Sequence, residues 1–118
     1  MKSRDAATFL DAGLKAAEPD LSIPLLRTLI AVFLNTNLSI NDLAEAIGVP
    51  QQTASRYVAI LQGRYQPSDS NSFVRAPLLT HKPSPGDMRR YELKLTPHGA
   101  KRIDKILSYI YATEKLNG

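Results

Sequence analysis

Gln52, Ser55 and Arg56 are the residues of this chain whose types and spacing most clearly suit chemistry. At i, i+3 and i+4 they share one face of a helix that starts at Pro50 and runs to Leu61. Ala54, Tyr57, Val58 and Leu61 form an apolar stripe on the other side. An amide, a hydroxyl and a guanidinium on an outward face can approach base edges in a DNA groove and bond to them. Gln51 and Thr53, at the helix start, are placed to touch phosphates. The plain alternative is a helical hairpin with a solvated polar face. Catalysis finds no comparable constellation. There is no cysteine, His81 and His98 are the only histidines, and no HExxH, G-x-S-x-G, P-loop or dinucleotide fingerprint occurs. Asp42 and Glu45 read as surface carboxylates of a helix rather than an acid/base pair. No enzyme activity, metal or cofactor is expected.

The elements around these residues follow from turn and cap signals. Ser39 and Asp42 form a capping-box variant, with Asp where Glu is usual, ahead of a helix that buries Leu43, Ala44 and Ile47. Gly48 suits the left-handed exit, and Pro50 suits the start of the next helix. Residues 39–62 therefore form a helix-turn-helix with the second helix as reader. Upstream, 2–17 reads as a helix with an apolar stripe of Phe9, Leu10, Gly13, Leu14 and Ala17. Glu18-Pro19-Asp20 breaks it. A central core helix, capped by the Ser22 hydroxyl with Pro24 in its first turn, runs to about Asn35. Downstream, 63–76 has no period and reads as a loop, in which Arg64, Tyr65 and Arg75 suit phosphate or partner contacts as readily as ordinary surface. Two strands fill 77–95, turning at Pro83 to Asp87. Tyr91, Leu93 and Leu95 alternate with Arg90, Glu92 and Lys94, the period of a half-buried strand. Thr96 caps and Pro97 opens a last helix over 97–115, with Ile103, Ile106, Leu107 and Ile110 as its stripe. The expected class is mainly α with one small β-hairpin, in a single domain over 1–118.

Charge is unevenly spread. Residues 49–102 hold nine basic and three acidic residues, the remainder six and eight, so the positive field gathers downstream of the reader helix. Such a surface suits phosphates, or is simply a solvated basic face. The longest purely apolar run, Leu29 to Leu34, is far short of the ~20 residues of a membrane span. The N-terminus has no signal-like apolar core, and cysteine is absent, so a soluble cytoplasmic protein is expected.

A helix-turn-helix followed by a basic hairpin is the winged-helix arrangement. The run GDMRRYELKLTPHGAKRI resembles the wing and following helix of the MarR family of transcription regulators. The family's Asp-x-Arg wing motif is matched by Asp87 and Arg89, and its Leu-Thr-x-x-Gly by Leu95, Thr96 and Gly99. The resemblance spans roughly residues 22–110. It implies a homodimer joined through the terminal helices, with one reader helix and one wing per subunit on double-stranded DNA. It also implies that Arg89 enters the minor groove while Asp87 braces it. Two features depart from the family: the inserted 63–76 loop and the short chain. The family's small-molecule effector pocket is therefore left open, and a repressor that answers to no ligand fits as well.

The expectation is a dimeric, sequence-specific DNA-binding regulator, most simply a repressor. Its DNA surface is Gln51, Gln52, Thr53, Ser55, Arg56, Arg64, Lys82, Arg89 and Arg90, and its dimer surface is Phe9, Leu10, Leu14, Ile103, Ile106, Leu107 and Ile110. The alternatives are a winged-helix protein-interaction module, or a DNA-binding accessory of replication or transposition.

Overall fold

The computed structural model describes residues 2–18, 20–64 and 76–117, apart from the side chains at 88, 89 and 114–117. In chain order they form α1 (Ser3–Ala17), α2 (Ile23–Leu34), α3 (Ile40–Ile47), α4 (Gln51–Leu61), β1 (Leu79–Ser84), β2 (Asp87–Leu95) and α5 (Pro97–Asn117). Five helices and one antiparallel hairpin make a winged helix. Tyr65 and Arg75, expected in a loop, lie outside the described residues, as does Pro19. No described helix is long and apolar enough to cross a membrane.

The helix-turn-helix is fixed by local backbone chemistry. The Ser39 hydroxyl accepts from the Asp42 N–H at 3.2 Å, and the Asp42 carboxylate accepts from the Ser39 N–H at 3.1 Å. This reciprocal pair satisfies two of the donors that a helix start leaves open. Gly48 ends α3 at φ 71°, where a Cβ would be penalised. The start of α2 differs from expectation. Ser22 occupies the cap position but its hydroxyl makes no cap bond. Pro24, two residues on, has no N–H to offer it.

α2 is the central strut. Leu25 and Leu29 are fully buried, and they share the core with Leu43, Val58, Leu61, Leu79 and Leu93. Each such side chain contributes about 1.5–3 kcal/mol of burial free energy. Thr28 is buried among them, and its hydroxyl donates to the Pro24 carbonyl at 2.9 Å, so no polar group is stranded. Ile23, Ile30, Phe33 and Leu34 stay exposed, so one face of this apolar helix is left without cover.

The hairpin runs in regular register from Leu79↔Leu95 to Pro83↔Tyr91 and then slips, with Ser84 opposite Asp87. Three residues of β2, 88–90, have no counterpart on β1, so the hairpin bulges there. The simple alternation expected for β2 does not hold either. Tyr91 is exposed, whereas Glu92 is buried at 5% exposure. The displaced end folds Ser84 over Glu92, and the Ser84 hydroxyl donates to Glu92 Oε1 at 2.8 Å. Lys94 Nζ lies 3.4 Å from the other carboxylate oxygen.

One short segment joins α4, the hairpin and α5. The Leu78 N–H donates to Leu61 O at 2.7 Å, at the end of α4. The Leu78 carbonyl accepts from the Thr96 N–H at 3.1 Å, at the end of β2. The Thr96 hydroxyl caps α5 by accepting from the Gly99 N–H at 3.0 Å, and itself donates to Pro77 O at 2.6 Å. Gly99 lies so close that a Cβ there would collide with the Leu78 carbonyl oxygen.

α1 and α5 pack on each other within the chain. Arg102 clamps them to the α1–α2 connection, donating to both Asp20 oxygens at 2.9 and 2.6 Å and to Ala17 O at 2.8 Å. That guanidinium holds the Asp20 carboxyl below its usual range. Ile103 and Ile106, expected at a contact with a second copy, are buried in the chain's own core. Covering them needs no partner, because α1 and α2 already do so. Leu10 is exposed, and Phe9, Leu14, Leu107 and Ile110 are half-buried.

The two helical glycines should respond oppositely to alanine. At Gly13 the one tight contact of a Cβ would be the end of the half-buried Ile110 side chain, at 3.2 Å, which can yield, with Ile106 at an ordinary 4.0 Å. Gly13→Ala should stabilise by up to about 1 kcal/mol, the helix-propensity difference. Gly99→Ala should destabilise by about 1–3 kcal/mol, because the obstacle is backbone. Denaturant melts of the two variants check both signs.

Candidate nucleic-acid interface

α4 buries Ala54, Val58, Ile60 and Leu61, which turns the opposite side outward. Gln51, Gln52 and Arg56 are exposed there, and Thr53 and Ser55 are half-buried. Ile60 adds to the buried stripe read from the sequence, while Tyr57 is only half-covered. Among the described residues none of these outward side chains is held by an internal hydrogen bond or ion pair. Arg64 is exposed three residues beyond α4, and Lys82 is exposed on β1. The end of α4 is tied to β1 by the Gln62–His81 contact, and Arg64 lies near His81.

Along one seam, three residues of β2 bind the hairpin to the segment between α2 and α3 and to the first turn of α3. The Leu93 N–H donates to Leu38 O at 2.8 Å. Lys94 Nζ donates to Thr36 O at 2.7 Å. Arg90 Nη2 donates to Asn37 O at 2.9 Å and to Asp42 Oδ2 at 2.5 Å. Arg90 therefore departs from its expected place among outward phosphate ligands. Two acceptors on the neighbouring segment draw its guanidinium back to the protein. Asp42 serves both ends of this link, since the same Oδ2 accepts from Ser39 N. The Ser39 N–H and hydroxyl, then Arg90, hold its carboxyl below the usual range. Beside the seam lies an open cleft of about 440 Å³, lined by Ser39, Asn41, Gln51, His81, Arg90 and Tyr91 among others.

The Asp87–Arg89 brace that the resemblance implies needs a regular strand, on which residues two apart share a face. The register slip removes that regularity between Asp87 and Tyr91. Asp87 is exposed and takes part in an interaction, and the Arg89 side chain lies outside the described residues. Nothing in the sequence signalled the Asp42–Arg90 link, because its partners are 48 positions apart. Only the choice of Asp within the capping box hinted at Asp42.

His81 is a second contact that sequence reasoning passed over. Its Nδ1 lies 2.8 Å from Gln62 Nε2, tying the end of α4 to β1, and Tyr91 packs edge-on at 6.2 Å between ring centroids. As the amide stands, Gln62 donates, so Nδ1 is the unprotonated nitrogen of a neutral ring. Burial, and then the nearby Arg64, lowers the His81 pKa from 6.5. With a depressed folded-state value, the unfolded chain takes up the proton first as pH falls. Stability from this site should be complete above the unfolded value and fall through the window below it. Lowering pH from about 7 to about 5 should lower the melting temperature of the wild type more than that of His81→Asn. Asp20 and Asp42 do not contribute in that window, because their depressed carboxyls lose stability only below about pH 4. Parallel curves for the two proteins would remove His81 from the account.

The sequence matches no family model and no curated protein. Solved structures with the same fold are numerous. The MepR–DNA complex of S. aureus superposes at a TM-score of 0.69 and 20% identity, over 98% of this chain and 83% of that one. The PcaV transcriptional regulator from Streptomyces coelicolor, in complex with its natural ligand, superposes at 0.60 and 20% identity, over 96% and 71%. RV1404 from Mycobacterium tuberculosis superposes at 0.69 and 20% identity over 91% of this chain. The chain spans 64% of that protein, less than two thirds of its length. The order of elements, the bound seam of the hairpin and these superpositions together make the fold a MarR-like winged helix.

Proposed function

We propose that this chain is a sequence-specific double-stranded-DNA-binding transcription regulator, acting in the cytoplasm as a homodimeric repressor. The carrying observation is the outward row of Gln52, Ser55 and Arg56 on α4, set over a buried apolar stripe and without hydrogen-bond or ion-pair partners among the described residues. In this reading α4 enters the major groove, and Gln51 and Thr53 lie near phosphates. Arg64 and Lys82 flank the site and add phosphate attraction. Arg89 of the hairpin reaches the minor groove with Asp87 beside it. The superposed MepR structure is a DNA complex, and PcaV is a transcriptional regulator, which supports carrying the reading to this chain.

Selection from random duplexes tests it. On the preferred site Arg56→Ala should cost about 1–3 kcal/mol, with little change on unrelated DNA. Equal losses on all duplexes would make Arg56 a phosphate contact. Absence of binding to any duplex would favour a protein-interaction module instead.

The homodimer rests on uncovered apolar surface. A groove of about 240 Å³ between α1, α2 and α5 is lined almost wholly by apolar atoms, with Phe9, Leu10, Leu14, Ile30, Phe33 and Leu107 among its walls. A second copy bringing the same face would bury it by two-fold symmetry. Sedimentation at tens of micromolar, roughly the range of ordinary dimer affinities, should show a dimer. Leu10→Lys, at an exposed position, should shift it towards monomer. A wild-type monomer at that concentration would end the idea.

A further inference from the structure

We infer that Asp42 and Arg90 are a positioning pair: through Arg90, the Asp42 carboxylate sets the hairpin against the reader helix and so strengthens DNA binding. The inference rests on the DNA-binding reading proposed above and deepens it.

Three observations carry it. First, Arg90 sits where the hairpin loses its regular restraint. The last regular pair is Pro83↔Tyr91, and residues 88–90 beyond it face no partner residue on β1. The Leu93–Leu38 backbone bond and the Lys94–Thr36 contact pin only the base. Arg90 carries the seam past Leu93 towards the tip, through Asn37 O and Asp42 Oδ2. Second, the carboxylate is already ordered before Arg90 arrives. Its Oδ2 is held by the Ser39 N–H as part of the helix cap. An exposed ion pair ordinarily gains little, because two long side chains must be frozen to make it. Here one partner is fixed in advance, and the other also bonds Asn37 O. Third, the pair joins the two bodies that the proposed interface needs in fixed relation. Asp42 stands in the first turn of α3, whose C-terminal glycine turn leads directly into α4.

Electrostatics alone predicts the opposite sign for one substitution. A carboxylate on a basic surface repels a polyanion, so neutralising it should tighten binding. A positioning role predicts weaker binding. Asp42→Asn separates the two, since an isosteric amide oxygen can still accept from Ser39 N and keep the cap. On the selected duplex Asp42→Asn should bind about fivefold more weakly, the scale of one charge-assisted hydrogen bond. Arg90→Gln should lose a similar factor, and the double variant little more, because both remove one link. Hydroxyl-radical footprints should lose the flanking minor-groove protection and keep the central protection. In the free protein, amide exchange across 90–93 should quicken in both variants. Unchanged or tighter binding by Asp42→Asn, or additive losses in the double variant, would overturn the inference. Wild-type protein that binds no duplex would instead sink the DNA reading, and the claimed effect on binding with it. Exchange rates that do not move would overturn the pinning of the hairpin whichever way DNA binding falls.

Discussion

The backbone of Leu78 is the point on which the arrangement turns. Its N–H closes onto the end of α4, its carbonyl onto the end of β2, and the first turn of α5 lies against it at Gly99. α4, hairpin and α5 are thereby referred to the backbone of one residue. Backbone hydrogen bonds of this kind contribute only about 1 kcal/mol each in net terms. Their importance is directional, since three elements cannot shift relative to one another without breaking at least one. The requirement for glycine at 99 follows from that convergence, as does the cap at Thr96, whose hydroxyl completes α5 and reaches Pro77 at once.

Much of this was legible in the sequence because it is encoded locally. The capping box at Ser39 and Asp42, the left-handed Gly48 and the Thr96–Pro97 start are short-range signals, and each governs only its own neighbourhood. The outward row on α4 was legible for a related reason: a 3.6-residue period needs no knowledge of what covers it. What was not legible depends on pairs far apart in the chain. The buried Glu92 has its hydroxyl donor at Ser84, eight positions away, and the return of Arg90 to the protein required Asn37 and Asp42 to be within reach. The Ser22 cap failed for a local reason that was present but not weighed, namely that Pro24 removes a donor. Apolar stripes on α1 and α5 were read as surplus surface, whereas Ile103 and Ile106 are consumed inside the chain. The true surplus lies partly on α2, at Ile30, Phe33 and Leu34, where high apolar content masked which side was exposed.

The two halves of the molecule use different chemistry. Between α1, α2 and α5 the contacts are dispersive, with the Arg102–Asp20 clamp as the principal polar restraint. Along the seam between hairpin and helix-turn-helix the contacts are polar and partly exposed: a backbone bond, an ammonium on a carbonyl, and a guanidinium shared by a carbonyl and a carboxylate. Polar contacts near water exchange more readily than a packed core. Adjustment to a partner surface is therefore easier at the seam than among the terminal helices.

The reader-face side chains stand apart from everything that holds the molecule together. Gln52, Ser55 and Arg56 share no hydrogen bond with the described fold, while Asp42 serves a helix cap and an ion pair at once. Inheritance therefore acts on the two sets differently. A gene copy can accumulate changes at 52, 55 and 56 one at a time with the scaffold intact, so divergence of preference among paralogues is open to single steps. Positions 42 and 90 are pleiotropic, and replacement of one exposes the carrier to the loss of the other's role. Lineages descended from this chain should vary on the outward face of α4 long before they vary at the seam that holds the hairpin.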